Sequence, residues 1–183
     1  MDRRKNTHLR LMSMIFLLLF VKGICLQCQS EAGKEIDYHV MGTFTVDGKA
    51  TPLKYVYTWY DSSLSDSKQK DLMLLFSDKP VPDDADIPFD LGDLGRKGKI
   101  HAIEVRYSIS KGSIVGGAIY HEGFGNMMMA FGGQYQVRAE LSTLTDSLVE
   151  GKIFTEEPQE SFDDHTWEVE AEFKTALKME GSR

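Results

Sequence analysis

Past Cys28 the chain contains no cysteine. Everything after that point is therefore held together without disulfides, and a thiol nucleophile is excluded there. Asn-x-Ser/Thr acceptors are missing as well: Asn6 is followed by Thr7 and His8, and Asn126 by Met127 and Met128. The charge-free stretch Leu11–Val21 is well short of the roughly twenty residues that a spanning helix needs. There is no G-x-S-x-G, no P-loop and no dinucleotide fingerprint. Basic residues are scarce beyond the first thirty positions. Five of the 21 Lys and Arg lie in residues 1–30 against one of the 28 Asp and Glu, so the remainder carries 16 basic and 27 acidic residues, a formal −11. Such a surface repels phosphate backbones and anionic head groups, which excludes nucleic acid as a partner class.

What is present begins with a leader pattern. Arg3, Arg4, Lys5 and Arg10 precede the apolar stretch, and Lys22–Ser30 forms a short polar exit holding Cys25 and Cys28. A basic head, a short apolar run and a polar exit predict a secretory signal over residues 1–30 and one exported domain over 31–183. About 153 residues suffice for one domain with a real core. An exported domain of this size without cysteine suits a bacterial envelope, in the periplasm, on the outer membrane or outside the cell. Cys25 stands where a bacterial lipoprotein carries its lipidated cysteine, although Ile24 is bulky for the preceding position. Plain cleavage after Cys25 or Ser30 is the other reading, and an uncleaved anchor the third. Membrane contact is expected only through that leader or lipid.

The exported part alternates apolar and polar residues almost throughout. Trp167, Val169, Ala171 and Phe173 interleave with Glu168, Glu170, Glu172 and Lys174. Ile103, Val105, Tyr107 and Ile109 do the same, as do Tyr135, Val137, Ala139 and Leu141, while Leu53, Tyr55, Tyr57 and Trp59 share one face. Period two predicts half-buried strands. Asp71–Ser77 is apolar through its middle, the pattern of a strand buried on both faces. Asp47-Gly48, Lys111-Gly112 and Thr145-Asp146-Ser147 supply tight turns. The expected fold is all-β: one antiparallel sandwich or barrel of about eight strands, near 37–46, 51–60, 71–77, 99–109, 113–121, 128–142, 148–155 and 166–175. One short helical connection near 88–97 is expected to cap an open end of the core with Phe89, Leu91 and Leu94. The Gly116-Gly117 and Gly132-Gly133 pairs predict bulges or tight bends.

Candidate chemistry centres on His121 beside Glu122, since an imidazole next to a carboxylate can act as base and orienter. Neighbours on a strand point to opposite faces, so these two converge only at a bulge. His39 and His101 lie alone on strands and gain meaning only where the fold brings them to His121. Asp163-Asp164-His165 offers three possible metal ligands in one loop. Met127-Met128-Met129 has three readings: gap-filling, an apolar contact surface, or thioether ligands to Cu(I). Tyr55, Tyr57, Trp59 and Phe131 are the candidate lining of an apolar pocket.

The segments Leu74–Pro80 (LLFSDKP), Gly98–Val105 (GKIHAIEV) and Gly117–Glu122 (GAIYHE), with Gly42–Lys49 ahead and Gly151–Ile153 behind, resemble a group of uncharacterised exported bacterial β-proteins. The resemblance covers most of residues 40–175. It implies a β fold and an envelope location, and it carries no activity, cofactor or site residues. The leading expectation is a non-catalytic exported binding module for an envelope protein or small ligand, with no cofactor. The alternatives are a metal-dependent or acid–base enzyme using His121 with Glu122, His101 or Asp164, and a carrier of a small apolar ligand. A pocket converging on His121, with another histidine or carboxylate within hydrogen-bond reach, favours the enzyme, and a filled interior favours the interaction module.

Overall fold

A computed structural model describes residues 38–64, 66–82, 84–87, 89–125, 128–133 and 135–177. The leader, Cys25, Met127 and the chain end lie outside them. The strands are β1 (His39–Val46), β2 (Lys49–Leu53), β3 (Tyr55–Ser62), β4 (Lys70–Ser77), β5 (Ala102–Ser108), β6 (Ser113–Tyr120), β7 (Met129–Phe131), β8 (Arg138–Leu144), β9 (Leu148–Phe154), β10 (Gln159–Glu160) and β11 (Thr166–Ala176), with one helix, α1 (Phe89–Arg96). One antiparallel sheet has the order β2-β1-β11-β9-β8, with β10 attached to β11; the other is a meander, β3-β4-β5-β6-β7. Their inner faces pack together as a sandwich. Phe44, Val169 and Phe173 of the first sheet share one core with Leu74, Phe76, Ile103 and Val105 of the second.

The alternation explains why. Trp167, Val169, Ala171 and Phe173 all point inward and are buried, while Glu168, Glu170 and Glu172 are exposed. Phe173 meets Phe76 edge-on at 5.1 Å, and Trp167 lies 5.2 Å from Phe131. The Asp47-Gly48 turn has φ of 49° and 75°, the left-handed pair that a two-residue hairpin needs. β4 is buried on both faces as its apolar run predicts: Leu74 and Phe76 enter the sandwich, and Leu75 faces a second cluster under the helix.

Several expectations need correction. Among the described residues there are eleven strands rather than about eight. The run 51–60 is two strands, because the chain leaves the first sheet at Lys54 and enters the second, where the Lys54 N–H donates to the Ser77 carbonyl at 2.9 Å. That crossing also splits the supposed common face: Leu53 belongs to the sandwich core, whereas Tyr57 and Trp59 pack on the outer side of the second sheet. The run 128–142 breaks into β7 and β8 in different sheets, so Tyr135 sits in the connection at 90% exposure. The helix does not cap the open end. It lies on the outer face of the second sheet with Leu91 buried and Phe89 exposed. Gly95 sets that contact, since a Cβ there would stand 2.8 Å from the Tyr120 backbone. The register shift in the β5–β6 ladder falls beside Gly116, as the glycine pair predicts.

Trp167 therefore anchors both sheets. Trp167→Ala is expected to cost about 3–5 kcal/mol in chemical denaturation, against about 0.5 kcal/mol or less for Glu168→Ala on the solvated face. Equal effects would mean that the strand register is reversed.

Candidate functional site

The ladders of the second sheet fix one end of the sandwich. Ser77 pairs with Ala102, and Ala102 with Tyr120. One residue further along each strand stand Asp78, His101 and His121, side by side just past the ladder. Asp78 and His101 continue the pairing briefly: the Asp78 N–H donates to the His101 carbonyl at 3.1 Å, and the His101 N–H to Asp78 Oδ1 at 2.7 Å. Beyond His121 the chain turns, and the Phe124 N–H donates to the His121 carbonyl at 3.2 Å. Because β6 has already ended, the rule that neighbours face apart no longer applies, and Glu122 swings back over the same end.

His101 Nε2 lies 2.7 Å from Glu122 Oε2, within hydrogen-bond distance. His121 Nδ1 is 3.8 Å from the same oxygen, and the two imidazole centroids are 4.5 Å apart. Among the described residues, the metal-capable side chains that gather as a set of three are His101, His121 and Glu122, with one ligand atom from each, all within 4.8 Å of one another. His101 Nδ1 is 3.2 Å from Asp78 Oδ2 but off the line of a hydrogen bond, so a buried nitrogen is held near a carboxylate without a formed bond. His121 Nδ1 accepts from the Gly123 N–H at 2.9 Å. The walls are aromatic: Phe44 and Phe124 meet the His121 ring edge-on at 6.0 and 6.1 Å.

The same end holds a second pair that the sequence did not single out as such. His165 Nδ1 is 2.6 Å from Asp47 Oδ2, and Asp47 Oδ1 accepts from the Thr166 N–H at 3.0 Å. Phe124 stands between the two groups, 5.7 Å from the His165 ring. His165 is thus turned to the β1–β2 hairpin instead of forming a ligand set with Asp163 and Asp164. Asp163 hydrogen-bonds locally to Ser161 Oγ through its N–H, and Asp164 takes the left-handed turn position at φ 60°. His39 begins β1, at the opposite end of the strand from the site.

The four aromatic candidates do not line one pocket. Phe131 is buried in the sandwich core, Tyr57 and Trp59 lie on the outer face, and Tyr55 is partly exposed. Tyr57 Oη accepts from the Val81 N–H at 3.0 Å, tying down the segment before the helix. Trp59 and Phe131 do border a groove of about 420 Å³ outside the second sheet, but Glu104 and Arg106 also line it. Of the methionines, Met128 is exposed and Met129 packs against the core.

Burial is the main influence on His121 and lowers its pKa; His101 adds to that, and Glu122 opposes it. Partial burial acts to raise Glu122, yet its own backbone N–H and the two imidazoles hold it below the ordinary carboxyl value. The His165 hydrogen bond, with the Thr166 N–H, lowers Asp47. Comparison with family models, curated proteins and solved structures finds no match to this chain.

All three shifts have one sign. A depressed pKa gives stability that is whole above the unfolded value and lost as pH falls through the folded one. For His121 that loss starts near its unfolded 6.5; for Glu122 and Asp47 it starts near 4.5 and 3.8. The midpoint of thermal unfolding should therefore drop on acidification from about pH 7 to about pH 5, before the carboxylates titrate. His121→Gln should flatten that first step, measured by melts at constant ionic strength. A parent protein with a flat profile there would contradict the burial of His121.

Proposed function

We propose that the protein is an exported binding module that takes up a divalent transition-metal ion, zinc foremost, at this end of its sandwich. The observation that carries the reading is the approach of His101, His121 and Glu122 to within 4.8 Å of one another. Two imidazole nitrogens and a carboxylate oxygen suit zinc and its borderline neighbours. Calcium and magnesium favour all-oxygen sites. Cu(I) favours thiolates and thioethers, and cysteine is missing beyond Cys28.

The surroundings favour an ion too. Asp78 stands behind His101 at Nδ1 while Nε2 faces Glu122, the arrangement in which an outer carboxylate orients a ligating imidazole. An ion held at His101 Nε2 would send the ring proton to Nδ1, which faces Asp78 Oδ2. The side chains filling the sandwich favour recognition at its end over carriage of an apolar ligand inside it. Export rests on the basic, apolar and polar order of residues 1–30.

A second reading uses the same ligands. Three protein donors leave a position open on a tetrahedral ion, which is the arrangement of catalytic zinc sites, so a metal-dependent hydrolase is the alternative. Turnover of ester or phosphoester substrates that vanishes with the ligand variants would favour it over simple capture.

Zinc titration by calorimetry, with metal analysis of the same samples, is the test. One ion per chain is expected. His101→Ala with His121→Ala should abolish uptake while circular dichroism stays β-rich. Asp78→Asn should weaken binding by about 10–100-fold, the usual cost of losing an outer-sphere carboxylate. Uptake unchanged in the double variant would refute the site.

A further inference from the structure

Given the metal site proposed above, we infer that the Gly123 amide is the ion's resident competitor at His121, and that the Glu122–Gly125 turn opens when the ion binds. Which ring nitrogen the ion takes makes no difference. The Gly123 N–H donates to His121 Nδ1 at 2.9 Å, so that lone pair is occupied and the neutral ring carries its proton on Nε2. An ion at Nδ1 displaces the amide directly. An ion at Nε2 moves the ring proton to Nδ1, where it meets the amide N–H donor to donor. Either route breaks the same hydrogen bond.

The position is built for that bond. A Cβ on residue 123 would lie 3.1 Å from His121 Nδ1 and 3.3 Å from Val46 Cγ1, tighter than ordinary contacts, so a larger residue would push the turn away from the ring. What resists opening is the next residue. Phe124 is 1% exposed, and its ring is held edge-on between His121 and His165. His165 is tied in turn to Asp47 in the hairpin, at 2.6 Å. Phe124, His165 and Asp47 are not among the ligands. They hold the turn in its ion-free form, so loosening them should favour the ion.

That sign separates this role from a purely structural one, in which the same changes would weaken binding or leave it alone. Phe124→Leu and His165→Gln, which leave the carboxylates in place, should each tighten zinc binding by roughly two- to tenfold, the span that one net hydrogen bond represents. In the parent protein, amide NMR across a zinc titration should move the Gly123 resonance and speed its hydrogen exchange, in step with the His101 and His121 side-chain signals. A Gly123 amide that stays fixed while both imidazoles shift to a bound state would overturn the inference and leave the metal site standing. So would weaker or unchanged zinc binding in folded variants. Absence of zinc uptake by the parent removes the metal site, and this inference with it. The NMR measurement needs no variant, so it decides the matter even where Phe124→Leu fails to fold.

Discussion

β11 enters the first sheet between β1 and β9, and the fold closes only where this last strand finds its slot. Its inner row, from Trp167 to Phe173, supplies one wall of the core, so both sheets depend on its register. The slot is narrow. A Cβ on Gly42 of β1 would stand 2.1 Å from the Glu170 carbonyl oxygen and 2.5 Å from the Ala171 Cα, closer than any side chain can come. Glycine there, opposite a small Ala171, lets the two backbones approach. A one-residue slip would turn the tryptophan and phenylalanine out and carry Glu168, Glu170 and Glu172 into the core. The burial cost of three carboxylates makes that alternative prohibitive. The acidic face thus specifies the fold as firmly as the apolar one. Its ion pairs, such as Lys152 with Glu140 and Lys174 with Glu150, are open to solvent at least in part and add little.

The candidate site is a consequence of register in the other sheet. Three strand ends fall level at Ser77, Ala102 and Tyr120, and next to each, outside the ladder, stands a residue able to hold a proton or an ion: Asp78, His101 and His121. Placing such groups just beyond a ladder has two effects. Their backbones are still set by the strands behind them, which gives the positional rigidity that a binding site needs. Their side chains are freed from strict alternation, so His121 and Glu122 can approach one oxygen from the same side. The wall of Phe44 and Phe124 keeps His121 partly dry, and dryness lowers its proton affinity while leaving a neutral nitrogen.

Much of this fold is legible in the sequence, and the parts that are not share a cause. Alternation identifies the strand faces of 167–173 and 103–107, because each strand stays in one sheet and a single inner face decides its pattern. The reading fails at Lys54, where a strand changes sheets without any turn residue to mark it, and at Tyr135, where an apparent strand continues through a connection. Helix 89–96 is placed correctly by its flanking residues, yet its docking face is not. The exposed Phe89 and buried Leu91 are settled by the outer face of a sheet far along the chain. For the site, His121 and Glu122 stand out as adjacent residues of complementary chemistry. Nothing local says that His101, twenty residues earlier, is their partner. That depends on the exact register of the β5–β6 hairpin, which is shifted by the irregularity beside Gly116 and is not fixed by the turn residues alone. The Asp47–His165 pair, 118 residues apart, is further still from anything that spacing could reveal.

The missing cysteines bear on the choice of ligands for the proposed ion. Export, as proposed above, would place the domain in oxidising conditions, in which zinc-binding thiolates are lost to disulfides or to higher oxidation states. Imidazoles and a carboxylate keep their ligating form there. The excess of 11 negative charges after residue 30 concentrates cations around the domain, and the cluster of His101, His121, Glu122 and Asp78 lies within that field. The unfolded chain has no reason to hold His101 and His121 together, so an ion bound by both stabilises the native state in proportion to its occupancy. It would join the entry to β5 with the exit from β6, at an end of the sandwich where the hydrogen-bonded ladder has stopped. Held by both imidazoles, the ion would close the open end of the β5–β6 hairpin, where the pairing stops at Ala102 and Tyr120.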